Sequence, residues 1–97
     1  MVRSDIAAIR TYVDNLMSEP LVLWPHRYFE QQSYSRWAAN EILSYVLHHL
    51  DTSPITAVEE FADLMDEYSC KNQFSSFGFS VAHDVAMDIL DMLLAMQ

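Results

Sequence analysis

The sequence predicts an all-α protein, a compact bundle of four helices within a single domain that covers residues 1–97. Apolar residues recur every three or four positions along four separate stretches, which is the spacing of one face of a helix. Prolines and small polar residues separate the stretches, and the connections between them are short. The predicted helices run over residues of about 4–18, 34–50, 56–69 and 80–96, with an aromatic connector at 20–32.

The first predicted helix begins near Ser4, which is suited to the N-cap, and ends before Pro20. Its apolar residues fall at i, i+3, i+7 and i+10, and they are Ile6, Ile9, Val13 and Leu16. The apolar and aromatic stretch that follows is predicted to be an ordered connector with one helical turn after Pro25. A short strand at "LVLW" is the alternative, although no partner strand is evident.

The second predicted helix has a narrow polar strip and is otherwise apolar, which is typical of a helix buried on more than one side. The third is amphipathic, and Thr56 followed by Glu59 forms a capping-box pattern at its start. Apolar residues from Val58 to Tyr68 occupy one face, and five carboxylates fill an arc of roughly 120° on the other.

The fourth predicted helix carries three aspartates on a narrow strip and apolar residues around most of its remaining circumference. An apolar band of that width indicates either the central helix of a bundle or an interface between subunits. Both alternatives remain open from the sequence.

Negative charge is concentrated in the C-terminal half. Of the net charge of −9, residues 50–97 hold −8, with Lys71 as their single basic residue. This opposes direct binding to nucleic acid or to an anionic membrane, and it permits a basic protein partner. We find neither a stretch of roughly 20 apolar residues nor an apolar secretory signal. With Cys70 as the only cysteine, we expect a cytoplasmic protein without an internal disulfide.

The carboxylates of the third and fourth helices form the first candidate partner-binding surface. They are Glu59, Glu60, Asp63, Asp66, Glu67, Asp84, Asp88 and Asp91. Such a surface could occupy a basic groove of a partner protein. The plainer interpretation is a solvated face that keeps an apolar-rich domain soluble. Repulsion between acids at i and i+4 costs only a few tenths of a kcal/mol per pair, so a helix tolerates them without a functional reason.

The aromatic stretch "WPHRYFEQQSYSRW" supplies the second candidate surface. Its candidate binding residues are Trp24, Arg27, Tyr28, Phe29 and Trp37. Aromatic residues and arginine dominate the binding energy of many protein interfaces. The alternative is that the rings cap one end of the bundle with the arginines packed on them.

No residue pattern indicates catalysis, a metal site or a cofactor. The Glu-x-x-His pairs of a di-metal bundle are missing, and His48 and His49 lie on different sides of one helix, which predicts one exposed and one partly buried ring. Cys70 ends a helix, where the dipole does not activate a thiol, so we predict a small buried side chain. The chain is predicted not to be an enzyme. A small hydrolase or metal-dependent enzyme, using His83, Cys70 or the acids in a cleft, is the remote alternative.

Three stretches, "YSRWAANEIL", "FADLMDEYSC" and "FSVAHDVAMDILDML", resemble small acidic proteins of bacterial prophages and integrative elements. The resemblance covers roughly residues 33–95 and carries no catalytic signature. It implies a mobile genetic element as the context, in which some proteins of this size and charge inhibit host defence, anti-CRISPR proteins among them.

The sequence as a whole predicts a non-enzymatic, cytoplasmic interaction module that forms a homodimer. The fourth helix and the aromatic connector would supply interface, and the acids would select a basic partner such as a nucleic-acid enzyme. A structural homodimer with no further partner is the alternative.

Overall fold

The computed structural model describes residues 4–71 and 76–97, which form four α-helices and no strand. The helices are α1 (Ser4–Ser18), α2 (His26–Leu47), α3 (Pro54–Lys71) and α4 (Ser76–Ala95). α2 and α4 each pack against the other three helices, and α1 and α3 lie on either side of that pair. The molecule measures 42 × 32 × 22 Å and is therefore a flat bundle about two helices thick. The predicted all-α bundle is confirmed.

One apolar core joins the four helices. Ile9, Ile42, Val58 and Ile89, one from each helix, are all completely buried. Each belongs to the face that the apolar spacing marks, and no polar or charged residue in the described part of the chain is buried with them. Burial of one such side chain contributes about 1.5–3 kcal/mol, so these faces hold the helices together.

The wide apolar band of α4 lies inside this core. Its buried members are Val81, Ala82, Val85, Ala86, Ile89, Leu90 and Leu93. Of the two alternatives that the sequence left open, the structure therefore supports a central helix of the bundle. Most of the apolar band is buried within one chain. Only Met87 and Leu94 among its large apolar residues stay substantially exposed.

The predicted start of the second helix at residue 34 is wrong, because α2 begins at His26. Pro25 is its N-cap, with an extended backbone, and accepts hydrogen bonds from the N–H groups of Tyr28 and Phe29 at 3.0 and 3.3 Å. The glutamines that follow are good helix formers, so nothing local stops the helix after one turn. The connector is only residues 19–25, without a strand, and it includes a cis peptide bond between Trp24 and Pro25.

α2 ends at Leu47, three residues before its predicted end, and two histidines close it. His48 Nδ1 donates to the Ser44 carbonyl and His49 Nδ1 to the Tyr45 carbonyl, both at 2.7 Å. These ring nitrogens supply donors to the last helical turn, where backbone partners run out. His48 is exposed and His49 half-buried, as predicted.

The predicted capping box at Thr56 and Glu59 is also wrong, because α3 begins two residues earlier, at Pro54. The Thr56 N–H donates to Ser53 Oγ at 3.2 Å, and the Ala57 N–H donates to the Ser53 carbonyl at 3.0 Å. Ser53 is therefore the N-cap. Pro54 takes the first helical position, where its missing N–H leaves no bond unmade.

α4 begins at Ser76 rather than residue 80, so the predicted loop extended too far. Gly78 lies within the helix, although glycine costs about 1 kcal/mol there. A Cβ at this position would lie 2.8 Å from Cε1 of Tyr34, so glycine allows the Tyr34 ring to pack directly on α4. Residues 72–75 of the predicted loop lie outside the described residues.

Candidate interaction surfaces

The five predicted carboxylates of α3 all lie on its exposed side, opposite the core. Two of them have partners. The Tyr45 hydroxyl donates to Glu60 Oε2 at 3.1 Å, and Lys71 Nζ donates to Glu67 Oε1 at 2.5 Å. Within the described part of the chain, no side chain pairs with the remaining three, Glu59, Asp63 and Asp66.

These three carboxylates, which we call the α3 acidic row, stand at i, i+4 and i+7. They therefore follow one line along the helix and span about 10 Å. α3 packs mainly on α4 and α2, and the row lies on the exposed side of α3, which forms an outward ridge of the bundle. The predicted burial of Cys70 is wrong: the thiol is exposed. Its position, four residues after Asp66, continues the same outward line.

The two paired carboxylates of α3, Glu60 and Glu67, raise the pKa values of their partners. Burial, followed by the bond to Glu60, raises the pKa of Tyr45. The bond to Glu67 raises the pKa of Lys71. Tyr45 is also stacked on His49, with ring centroids 4.0 Å apart. The charges of Glu60 and Glu67 are thus engaged within the chain, unlike those of the α3 acidic row.

The three aspartates of α4, Asp84, Asp88 and Asp91, are also exposed, and one of them lies close to α1. Burial, and then the charges of Asp88 and Glu19, raise the pKa of Tyr12 on α1. Asp88 therefore lies near Tyr12 of α1.

An apolar stripe separates the α4 aspartates from α3. The hydroxyl of Ser80 on α4 forms a hydrogen bond of 3.2 Å with the hydroxyl of Ser69 on α3, so this side of α4 faces α3. Met87 and Leu94 follow Ser80 at intervals of seven, which keeps them on that side. They are 38% and 48% exposed, so exposed apolar side chains lie between the two acidic strips.

The aromatic candidates also fall into two groups. Trp24 and Tyr28, 81% and 59% exposed, face one groove. Trp37 lies apart from them, in a cleft with Tyr34 and Phe79. Two candidates pack locally: Phe29 is half-buried, and the Arg27 guanidinium lies 4.2 Å from the centre of the Phe77 ring. The exposure of Trp24 rules out a role for it in capping the bundle.

The connector that carries Trp24 is fastened to α2 by side chains. Gln32 Oε1 accepts a hydrogen bond from the Val22 N–H at 2.7 Å, and Gln32 Nε2 donates to the Pro20 carbonyl at 3.2 Å. Arg36 donates to the Glu19 carbonyl. The connector therefore displays its side chains from a defined backbone.

The connector and the start of α2 enclose an open groove of about 570 Å³. Its apolar walls come from Leu16, Val22, Trp24 and Tyr28, and its polar residues include Gln31 and Gln32. We call this groove, with the exposed side chains of residues 21–24 beside it, the aromatic groove. Leu23, 70% exposed, is a prominent member that the sequence reasoning did not select. The apolar run "LVLW" was the available signal.

The described residues contain no group of three or more His, Cys, Asp and Glu side chains placed to hold a metal ion. None of the four helices, as far as the structure describes them, is long and apolar enough to cross a membrane. No family model, no curated protein and no solved structure matches the chain.

Proposed function

We propose that the protein is a non-enzymatic interaction module that binds a basic protein through the outer ridge of α3. The supporting observation is the α3 acidic row, in which Glu59, Asp63 and Asp66 are exposed and pair with no side chain among residues 4–71 and 76–97. The exposed face of a helix is a convex shape that fits a groove in a partner. Three exposed carboxylates in line on this face favour a groove lined by lysine and arginine.

Grooves of that kind are a feature of proteins that handle nucleic acids, because they neutralise phosphates. Binding there would block nucleic-acid access, which makes inhibition the functional outcome. If the chain comes from a mobile genetic element, as its sequence predicts, inhibition of a host nucleic-acid enzyme would fit that context. Complementary charge would speed association, and salt would weaken it.

The row would act through its charge rather than as a copy of a nucleic-acid strand. Carboxylates one helical turn apart are about 5.4 Å apart along the axis, whereas the phosphates of one DNA strand rise about 3.4 Å each. Two merged acidic helices would make a better copy, and the apolar stripe of Met87 and Leu94 argues against that arrangement.

The two separate strips provide a matched experiment. One variant carries Glu59→Lys, Asp63→Lys and Asp66→Lys, and the control carries Asp84→Lys, Asp88→Lys and Asp91→Lys. Both change the net charge from −9 to −3 at exposed helix positions. Each protein is used as bait in bacterial lysate at low and high salt, with mass spectrometry of what is retained and circular dichroism to verify the fold.

We expect the unaltered protein and the α4 control to retain the same basic nucleic-acid-handling protein at low salt and to release it at high salt. The α3 variant should not retain it. Equal retention by both variants, or loss only in the α4 control, would show that the α3 ridge is not the binding surface.

A further inference from the structure

The aromatic groove is a large apolar surface that the proposed α3 interaction does not use. Leu23 is 70% exposed, Trp24 81% and Tyr28 59%, and Met17, Leu21 and Val22 are each 40% exposed or more. Val22, Trp24 and Tyr28 line one groove, so their exposed surface is contiguous, and Leu21 and Leu23 adjoin it along the connector. A contiguous apolar patch of this kind marks an interaction site more often than scattered apolar residues do.

The shape of the fold explains why this surface is uncovered. α2 has 22 residues and α1 has 15, and the connector between them runs beside the first turns of α2. Within the bundle, α2 buries Ala38, Ile42 and Val46 against its neighbours. Near its start, Tyr28 and Gln31 instead face the open groove. The groove therefore continues the packing side of α2 beyond the point where α1 covers it.

We propose that a second copy of this chain occupies the aromatic groove and forms a symmetric dimer. Charge selects this occupant. Across residues 16–37, Arg27 and Arg36 balance Glu19 and Glu30, so the region is neutral in a protein whose net charge is −9. Two acidic copies meet here without placing like charges together, whereas contact through α3 would oppose two rows of carboxylates. A basic partner, conversely, finds no excess negative charge at this groove.

The available area fits a dimer. An aromatic side chain contributes about 150–250 Å² when buried, so the exposed parts of Trp24 and Tyr28 offer roughly 300 Å². The exposed aliphatic side chains bring the apolar area to roughly 500 Å² per copy. Two copies would bury about 1,000 Å² of apolar surface, and at the apolar share of about 65% found in homodimers the whole interface reaches about 1,500 Å². Specific interfaces bury about 1,200–2,000 Å².

The fastening of the connector favours binding as well. Gln32 and Arg36 hold the backbone of residues 19–22 before any partner arrives. Binding then has less chain to order, and the lower entropy cost strengthens association. In a two-fold dimer the same patch serves both copies, so Trp24 of each would contact the groove of the other.

The test combines sedimentation velocity with the emission of Trp24. Leu23→Glu places a charge beside the groove, between the groove-lining Val22 and Trp24, and Leu94→Glu is the matched control, an exposed leucine on the C-terminal part of α4. Emission is measured in the Trp37→Phe background, where Trp24 is the only tryptophan. We expect a dimer at micromolar concentrations for the unaltered protein and the control, and at least tenfold weaker association for Leu23→Glu.

The emission of Trp24 should shift to shorter wavelength as the protein concentration rises through the dimer range. A monomer at 100 μM would overturn the proposal, as would a dimer that persists in Leu23→Glu or leaves the Trp24 emission unchanged. A shift of the Trp24 emission to shorter wavelength that occurs only when a different protein is added to the monomer would also overturn the proposal. None of these results depends on the α3 acidic row, so failure here is distinct from failure of the proposed function.

Discussion

Gln32 fixes the connector, and its replacement by alanine gives a prediction with a defined magnitude. The side chain makes two hydrogen bonds, one with the Val22 N–H and one with the Pro20 carbonyl. Each such bond contributes about 0.5–1.5 kcal/mol net. Both are exposed, so water replaces part of what is lost, and we expect Gln32→Ala to free the connector at a cost of about 1 kcal/mol.

Amide hydrogen exchange at Val22 measures this loss directly. A change of about 1 kcal/mol in local opening corresponds to roughly fivefold faster exchange. The dimer should weaken by a similar factor, because the connector must then be ordered on binding. Circular dichroism should be unaltered, since the helices do not depend on Gln32.

Gln31→Ala is the control for this prediction. Gln31 lies beside Gln32 on α2 and also lines the groove, but its side chain forms no hydrogen bond with the described residues. The two variants change helix propensity equally, so only the contact to the connector differs. Unchanged exchange at Val22 in Gln32→Ala, or an equal acceleration in Gln31→Ala, would refute the reasoning.

Three further predictions concern stability. Gly78→Ala should destabilise the protein by about 1–2 kcal/mol in thermal unfolding, because the new Cβ would meet the Tyr34 ring. In a Tyr34→Ala variant the same substitution should instead stabilise the protein by about 1 kcal/mol, because alanine has the higher helix propensity. Equal effects in both backgrounds would contradict this contact. Ser53→Ala should lower the free energy of unfolding by about 1 kcal/mol in urea, and no loss would mean that the N-cap is unimportant. The raised pKa of Tyr12 means that the folded state keeps the phenolic proton longer than the unfolded state. The contribution of Tyr12 to the free energy of unfolding is complete below pH 10.0 and falls as pH rises through the folded pKa. Tyr12→Phe should therefore make the free energy of unfolding fall less steeply with pH in an alkaline series, and an unchanged slope would contradict this prediction.

The number of helices and the exposure of the acids could be predicted because both depend on local spacing. Val58 and Phe61 mark the buried face of α3 by position alone, and the carboxylates follow on the other side. The exposure of Cys70 was contained in the same spacing, since it continues the line of Asp63 and Asp66. Its residue type, which favours burial, led to the wrong prediction.

Other features depend on contacts between distant residues and left no local signal. The start of α4 includes Gly78 because Tyr34 needs the space, and Tyr34 is far away in the sequence. Gln32 reaches back ten residues to Val22 to shape the connector. The separation of the two acidic strips follows from how α3 and α4 pack, which helical spacing alone does not determine.

The most direct test of the α3 ridge is an NMR titration of the isotope-labelled protein with an oligolysine peptide at physiological salt. The peptide stands in for the lysine-rich groove of a partner, so the titration can be done before that partner is identified. We predict that amide shifts concentrate between Glu59 and Glu67, disappear at high salt, and leave residues 21–28 unchanged. Shifts centred on Asp84 to Asp91, or on the aromatic groove, would contradict the assignment of partner binding to α3.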